Sequence, residues 1–163
     1  MKELFVKNVI IGKQFETSTN YEEFIKIVKE RKIKLHVVEA RQRIDIEKDL
    51  YFDVLWPNSN NIISENGINN NSLVFKMVYK NISCLFTGDI EEVAEKAILK
   101  EYKNTNILNS TILKVAHHGS KSSSTEEFLK AIKPKIALIG VGKSNNFGHP
   151  NAEVLERIER RWK

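Results

Sequence analysis

The sequence predicts a single mixed α/β domain over residues 1–163. Three observations predict it. In the second half, short apolar runs of strand character alternate with stretches of helical period. In the middle, paired runs separated by a few polar residues read as hairpins. No internal repeat, Pro- or Ser-rich linker or compositional shift divides the chain. A mixed sheet with helices packed on it satisfies this pattern.

The elements follow in order. Phe5 to Ile11 (FVKNVII) reads as a buried strand closed by Gly12. Thr19 and Asn20 offer N-caps with Glu22 and Glu23 three residues on, so a helix is expected over 21–31, its apolar face Phe24, Ile25, Ile27 and Val28. Ile33 to Val38 is the next strand. Ile44, Ile46 and then Leu50 to Trp56 form a hairpin, stopped by Pro57. Residues 58–71 contain seven Asn and one Gly and predict a long surface loop. Ser72 to Tyr79 and Ile82 to Phe86 make a second hairpin around Lys80-Asn81. Ile90 to Tyr102 is helical, with Val93, Ala94, Ala97 and Ile98 on one face. Thr111 to Val115 is a strand, and Ser124-Thr-Glu-Glu127 is a capping box for a helix to Ile132. Lys135 to Gly140 is the last strand. Asn151 caps a final helix carrying Val154, Leu155, Ile158 and Trp162.

Composition narrows the class. Hydrophobic content of 41% with 29% charged residues is globular and excludes intrinsic disorder. No apolar run approaches the ~18–20 residues that span a bilayer, and the N-terminus lacks a signal-peptide pattern, so a soluble domain with no membrane contact of its own is expected. The one cysteine, Cys84, lies in an apolar run and reads as core; no intrachain disulfide can form. The net charge of +5 is compatible with a polyanionic partner but shows no Arg/Lys cluster with interleaved aromatics.

Three polar landmarks stand where a predicted strand gives way to a turn or helix, the usual place for chemistry in α/β folds: Thr87-Gly-Asp89, Leu113-Lys-Val-Ala-His-His-Gly-Ser120 and Gly148-His-Pro150. Asp89 reads as an N-cap for the next helix, as a carboxylate able to bridge two cations, or as both, since a cap uses one oxygen. His117 and His118 read either as a surface or core pair or as ligands, because neutral imidazole is the commonest zinc ligand. Neighbours on an extended strand end point in opposite directions; one would ligate and the other would orient it or contact substrate. Ser120, Ser122, Ser123 and Ser124 read as a polar loop or as hydroxyls for a phosphate. His149 reads as a turn residue or as a proton donor or phosphate contact. His36, inside a strand pattern, reads as structural.

In combination and in this order, the hairpin ending in Thr-Gly-Asp89, Leu113–Ser120 and Asn145–Pro150 (NNFGHP), with Asn70-Asn-Ser-Leu-Val74 before them, resemble the metallo-β-lactamase superfamily. The subgroup resembled is the C-terminal hydrolase domain of the competence protein ComEC. The resemblance covers most of the chain and is strongest from Asn70 to Ile158. It implies an αββα sandwich holding two divalent metal ions, zinc or manganese, that cleaves phosphodiester or other ester bonds. Carried over by motif, Asp89 is the bridging carboxylate, His118 the late histidine ligand, His117 its neighbour and alternative ligand, and His149 a substrate-contacting catalytic group. His117 is expected to assist catalysis, and Ser120 and Ser122 to bind substrate. The partner implied is nucleic acid, during DNA uptake, or another phosphodiester substrate, with a bacterial membrane protein as parent and a cytoplasmic protein as the other option.

The departures from the pattern are specific. The HxHxDH motif that supplies most ligands in the superfamily is absent, and the sequence reads as if it begins just beyond it. No histidine falls between His36 and Asp89; Trp56 stands before Pro57 where a further ligand would be expected. The sandwich is therefore expected to be incomplete at its N-terminal side. The chain alone is expected to bind metal weakly or not at all, to lack activity, and to dimerise through the exposed sheet. The alternative is a non-catalytic module derived from this fold that binds nucleic acid or a protein.

Overall fold

The computed structural model describes residues 5–13 and 18–160. It is a mixed α+β fold, as the sequence pattern predicts. In chain order the elements are β1 (Asn8–Gly12), α1 (Thr19–Glu30), β2 (Lys34–Val38), β3 (Arg43–Glu47), β4 (Leu50–Trp56), α2 (Gly67–Asn70), β5 (Val74–Tyr79) and β6 (Ile82–Phe86). Then come α3 (Glu92–Glu101), β7 (Ile112–Lys114), α4 (Glu126–Ile132), β8 (Ile136–Leu138) and α5 (Ala152–Glu159). β1 and β2 form a parallel pair joined through α1. The other strands make a six-stranded sheet in sequence order, antiparallel from β3 to β6 and parallel from β6 to β8.

The sheet buries one face under helices. Leu55, Leu85 and Leu113 pack with Ala94 and Ile98 of α3, Phe128 and Ile132 of α4, and Val154 and Ile158 of α5. The opposite face is also apolar. Strand register aligns Ile44, Phe52, Met77, Cys84, Ile112 and Ile136 in one row across it. Phe52, Phe75 and Phe86 run ring to ring there, at 5.1 and 4.8 Å between centroids. This second face is only partly covered: Ile136 and Leu138 are about half exposed. Cys84 is buried, and burial raises its thiol pKa, as a core cysteine requires.

Several local expectations are corrected. Ser18, not Thr19 or Asn20, caps α1, and of the expected apolar face only Val28 is buried. Residues 58–71 are not a surface loop throughout: α2 interrupts them, and Asn70 and Asn71 are buried. The Asn71 side chain bonds both backbone groups of Ile63 and the Gly67 carbonyl, so asparagine serves here as an interior hydrogen-bonding strut. In α3, Val93 is exposed and Glu95 is fully buried, the reverse of the hydropathy pattern. Thr125 rather than Ser124 caps α4, because Ser124 adopts a positive φ. Asn151 caps α5 as expected, while Trp162 lies outside the described residues.

Candidate functional site

Parallel pairing places the carboxyl ends of β6, β7 and β8 on one edge. Thr87-Gly88-Asp89 leaves β6, Val115 and the turn Ala116–Gly119 leave β7, and Gly140 follows β8. Thr87, fully buried, donates its hydroxyl to the Lys114 carbonyl at 2.6 Å and so fastens the first two exits together. His117 N–H donates to the Gly88 carbonyl at 3.1 Å.

Two glycines set the approach. Gly88 has φ +56, and a Cβ there would lie 2.5 Å from Ser72 Cβ. The backbone therefore closes onto Ser72, whose hydroxyl accepts from Asp89 N–H at 3.2 Å. Gly119 has φ +81, and a Cβ would lie 2.7 Å from Pro150 Cβ. That contact, with Asn151 N–H donating to the Gly119 carbonyl at 2.9 Å, brings the histidine turn against the His149 loop.

The structure corrects the local reading of the landmark residues. Asp89 is not the cap of α3; Glu91 holds that position, without a side-chain cap bond. His117 and His118 are not on an extended strand end. Both have positive φ, 46° and 54°, in a 3₁₀ turn. They still diverge to different partners. His118 Nδ1 lies 2.5 Å from the Gly140 carbonyl, which can only accept, so Nδ1 carries the proton. In the neutral ring Nε2 presents a lone pair to Asp89 Oδ1, 3.7 Å away. Two electron-pair donors facing each other at this distance, too far apart for a hydrogen bond, suit a cation between them.

His117 Nδ1 lies 3.4 Å from Glu91 Oε1 without making a hydrogen bond, and its ring meets the His149 ring edge-on at 5.7 Å. His149 Nδ1 is likewise buried and makes no hydrogen bond. Motif reading passed over Glu91, although it stands two residues after Asp89. Its carboxylate accepts from Asn66 Nδ2 at 2.8 Å and Ser122 Oγ at 3.0 Å, and its N–H donates to Asn70 Oδ1 at 2.9 Å. Burial works against its charge, but the hydrogen bonds from Asn66, Ser122 and Asn70 and the nearby His117 outweigh it and hold the carboxyl below its ordinary range.

Ser120 and Ser122 are engaged in this network: their hydroxyls lie 3.0 Å apart, and Ser122 donates to Glu91. The serine run is a buried brace rather than an open loop, with Ser120, Ser123 and Ser124 all buried. Glu95 fixes it from α3, accepting from the N–H groups of Ser124 and Thr125 at 2.5 and 2.8 Å. Arg157 fixes it from α5, donating to the carbonyls of Lys121, Ser123 and Ser124. His36 stands apart on β2, with Nε2 3.0 Å from Asn8 Oδ1.

Asp89 and His118 are two donors, and among the described residues no group of three or more His, Cys, Asp or Glu side chains is placed to hold a metal ion. Catalytic zinc takes three protein ligands and an open position. The residues present therefore do not by themselves fit a complete catalytic metal centre. Trp56 does not stand in for a ligand either: it is fully buried and donates its indole N–H to the Asn70 carbonyl at 2.7 Å.

No protein-family model matches the chain. It is similar to ComE operon protein 3 of Bacillus subtilis (strain 168), 35% identical over 95% of this chain and 19% of that protein. It is also similar to Competence protein ComA of Neisseria gonorrhoeae, 32% identical over 76% of this chain and 17% of that protein. Recombination protein 2 of Haemophilus influenzae is 32% identical over 68% of this chain and 13% of that protein. The chain spans a fifth or less of the length of each of these relatives. Among the described residues, no helix is long and apolar enough to cross a membrane.

Proposed function

We propose that this chain is part of a ComEC-like competence protein and carries one portion of a metal-dependent hydrolase site for the phosphodiester bonds of DNA during uptake. The observation that carries the reading is the Asp89–His118 pair. Its Nε2 to Oδ1 separation is 3.7 Å, and its tautomer is set by the Gly140 carbonyl. The similarity to competence proteins along nearly the whole chain supports the biological setting. The apolar second face of the six-stranded sheet supports a second layer upon it, as a metallo-β-lactamase αββα sandwich would have. The remaining ligands, for two zinc or manganese ions, come from residues other than those described.

On this reading the chain's own residues do limited work. Asp89 and His118 present oxygen and nitrogen donors at the open edge. Glu91 lies against His117, and His149 lies beside it within reach of a substrate held over that edge. The second reading, a non-catalytic binding module, draws on the two-donor count.

Metal analysis with a phosphodiesterase assay tests both readings, comparing the chain with a form extended by the coding sequence upstream of Met1. The expected result is weak metal binding and no turnover by the chain, with tight zinc or manganese and turnover by the extended form, both lost on Asp89→Asn. Tight stoichiometric zinc with turnover by the chain alone would refute the incomplete site. An extended form that binds nucleic acid without metal or turnover would establish the binding module.

A further inference from the structure

The loop between β8 and α5 displays a large aromatic ring to solvent. Phe147 is 82% exposed, on a segment whose conformation is closely held. Asn145 holds it: its Nδ2 donates to the carbonyls of Gly142 and His149 at 3.1 and 2.8 Å, and its Oδ1 accepts from the N–H groups of Phe147 and His149 at 3.1 and 3.0 Å. One side chain thus ties both ends of the turn that carries the ring. Burying a phenylalanine is favourable, so a loop held by these bonds forgoes that gain by keeping the ring outward.

The ring is also aligned with the site. Phe147 and His149 lie nearly parallel, 20° apart with centroids 6.0 Å from each other, and His149 in turn meets His117. The ring's sequence neighbours are polar: Lys143, Ser144, Asn145 and Asn146. A membrane-inserting or protein-docking surface would need a contiguous apolar patch, and a flat ring among amides and a lysine, with Val141 at 38% exposure as the other exposed apolar side chain of the loop, does not make one. It does match a platform for a planar ligand with an anionic backbone, with Lys143 on the same loop for the phosphate.

We propose that Phe147 stacks a nucleobase of single-stranded nucleic acid and so seats the adjacent phosphodiester beside His149. This rests on the phosphodiester reading above and adds to it a substrate form and a positioning residue. Duplex bases present no free face, whereas single strands offer every base to an aromatic ring.

The test is fluorescence anisotropy of the 163-residue chain with a labelled oligothymidylate, in chelator so that no turnover occurs. An abasic strand of the same length and a duplex serve as comparisons. Stacking of one base contributes roughly 1–3 kcal/mol, so Phe147→Ala is expected to weaken single-strand binding about 5- to 150-fold. Phe147→Trp is expected to retain it, and the abasic strand is expected to bind wild type as weakly as the intact strand binds the alanine variant. Circular dichroism confirms that both variants fold.

Equal binding by wild type and Phe147→Ala, equal binding of intact and abasic strands, or no strand binding by wild type would each overturn the proposal. So would loss of binding to phosphatidylglycerol vesicles on Phe147→Ala with strand binding unchanged, which would make the ring a membrane contact. The hydrolase reading fails separately: an extended form without metal-dependent turnover sinks it and leaves base-dependent binding by Phe147 intact.

Discussion

Replacing single glycines by alanine separates the two constraints that bring the histidine turn to the His149 loop. Gly142 lies outside the left-handed region, and a Cβ there meets nothing within 4 Å. Gly148 has φ +68 and equally open surroundings. Gly119 combines φ +81 with a Cβ 2.7 Å from Pro150 Cβ and 3.1 Å from Pro150 Cα. Gly142→Ala is therefore expected to be neutral, or stabilising by up to about 1 kcal/mol through the unfolded chain. Gly148→Ala carries the backbone cost alone, about 1–2 kcal/mol. Gly119→Ala adds overpacking against a proline ring that cannot swing away, about 1–3 kcal/mol more. The total is roughly 2–5 kcal/mol, and with a urea slope of about 2 kcal/mol/M the midpoint should fall by about 1–2.5 M. Urea unfolding followed by tryptophan fluorescence, with Trp56 fully buried as a reporter, reads the series. If Gly119→Ala unfolds at the same midpoint as Gly148→Ala, Pro150 does not press on the turn and the account of how the two loops meet is wrong.

Other perturbations have equally definite expectations. Burial pushes the Glu95 carboxyl above its ordinary value of 4.5, against the pull of the Thr125 and Ser124 N–H groups. The folded state then holds that proton more tightly than the unfolded chain. The resulting stability is fully present below about pH 4.5 and is lost as pH rises through the raised folded value. The stability of wild type relative to Glu95→Gln should therefore decline above that pH in urea titrations; a constant difference would contradict it. Asn70→Ala leaves the Glu91 N–H and the Glu65 carbonyl without their buried partner, and should cost roughly 2–4 kcal/mol by the same method. A loss under about 0.5 kcal/mol would show that water replaces the amide. The half-covered second sheet face should produce dimers in light scattering, reduced by Ile136→Lys at the half-exposed end of its apolar row. A wild-type monomer at high concentration would count against this.

Element types were legible because they rest on local period and turn chemistry. The hairpins around Asp49 and Lys80 follow from apolar runs broken by polar residues, and Asn151 is recognisable as a cap from its place before a periodic stretch. The errors fall where a polar side chain is satisfied by distant backbone. Glu95 occupies a core position because its carboxylate meets two N–H groups from residues 124 and 125, which no period within α3 reveals. Asn70 and Asn71 look like loop residues by composition and are buried because each amide finds partners around it.

The same division holds for the candidate site. Residue order alone singled out Asp89, His117, His118 and His149, because a histidine pair and an acid at strand exits are poor core material and good ligand material. Folding decided their relations. The parallel pairing of β6, β7 and β8 gathered their exits, and the left-handed turn sent His118 to Asp89 and Gly140 while leaving His117 to Glu91. The His118 tautomer and the pairing of its ring with Asp89 depend on contacts between segments far apart in the chain, and such contacts exist only once the sheet has formed.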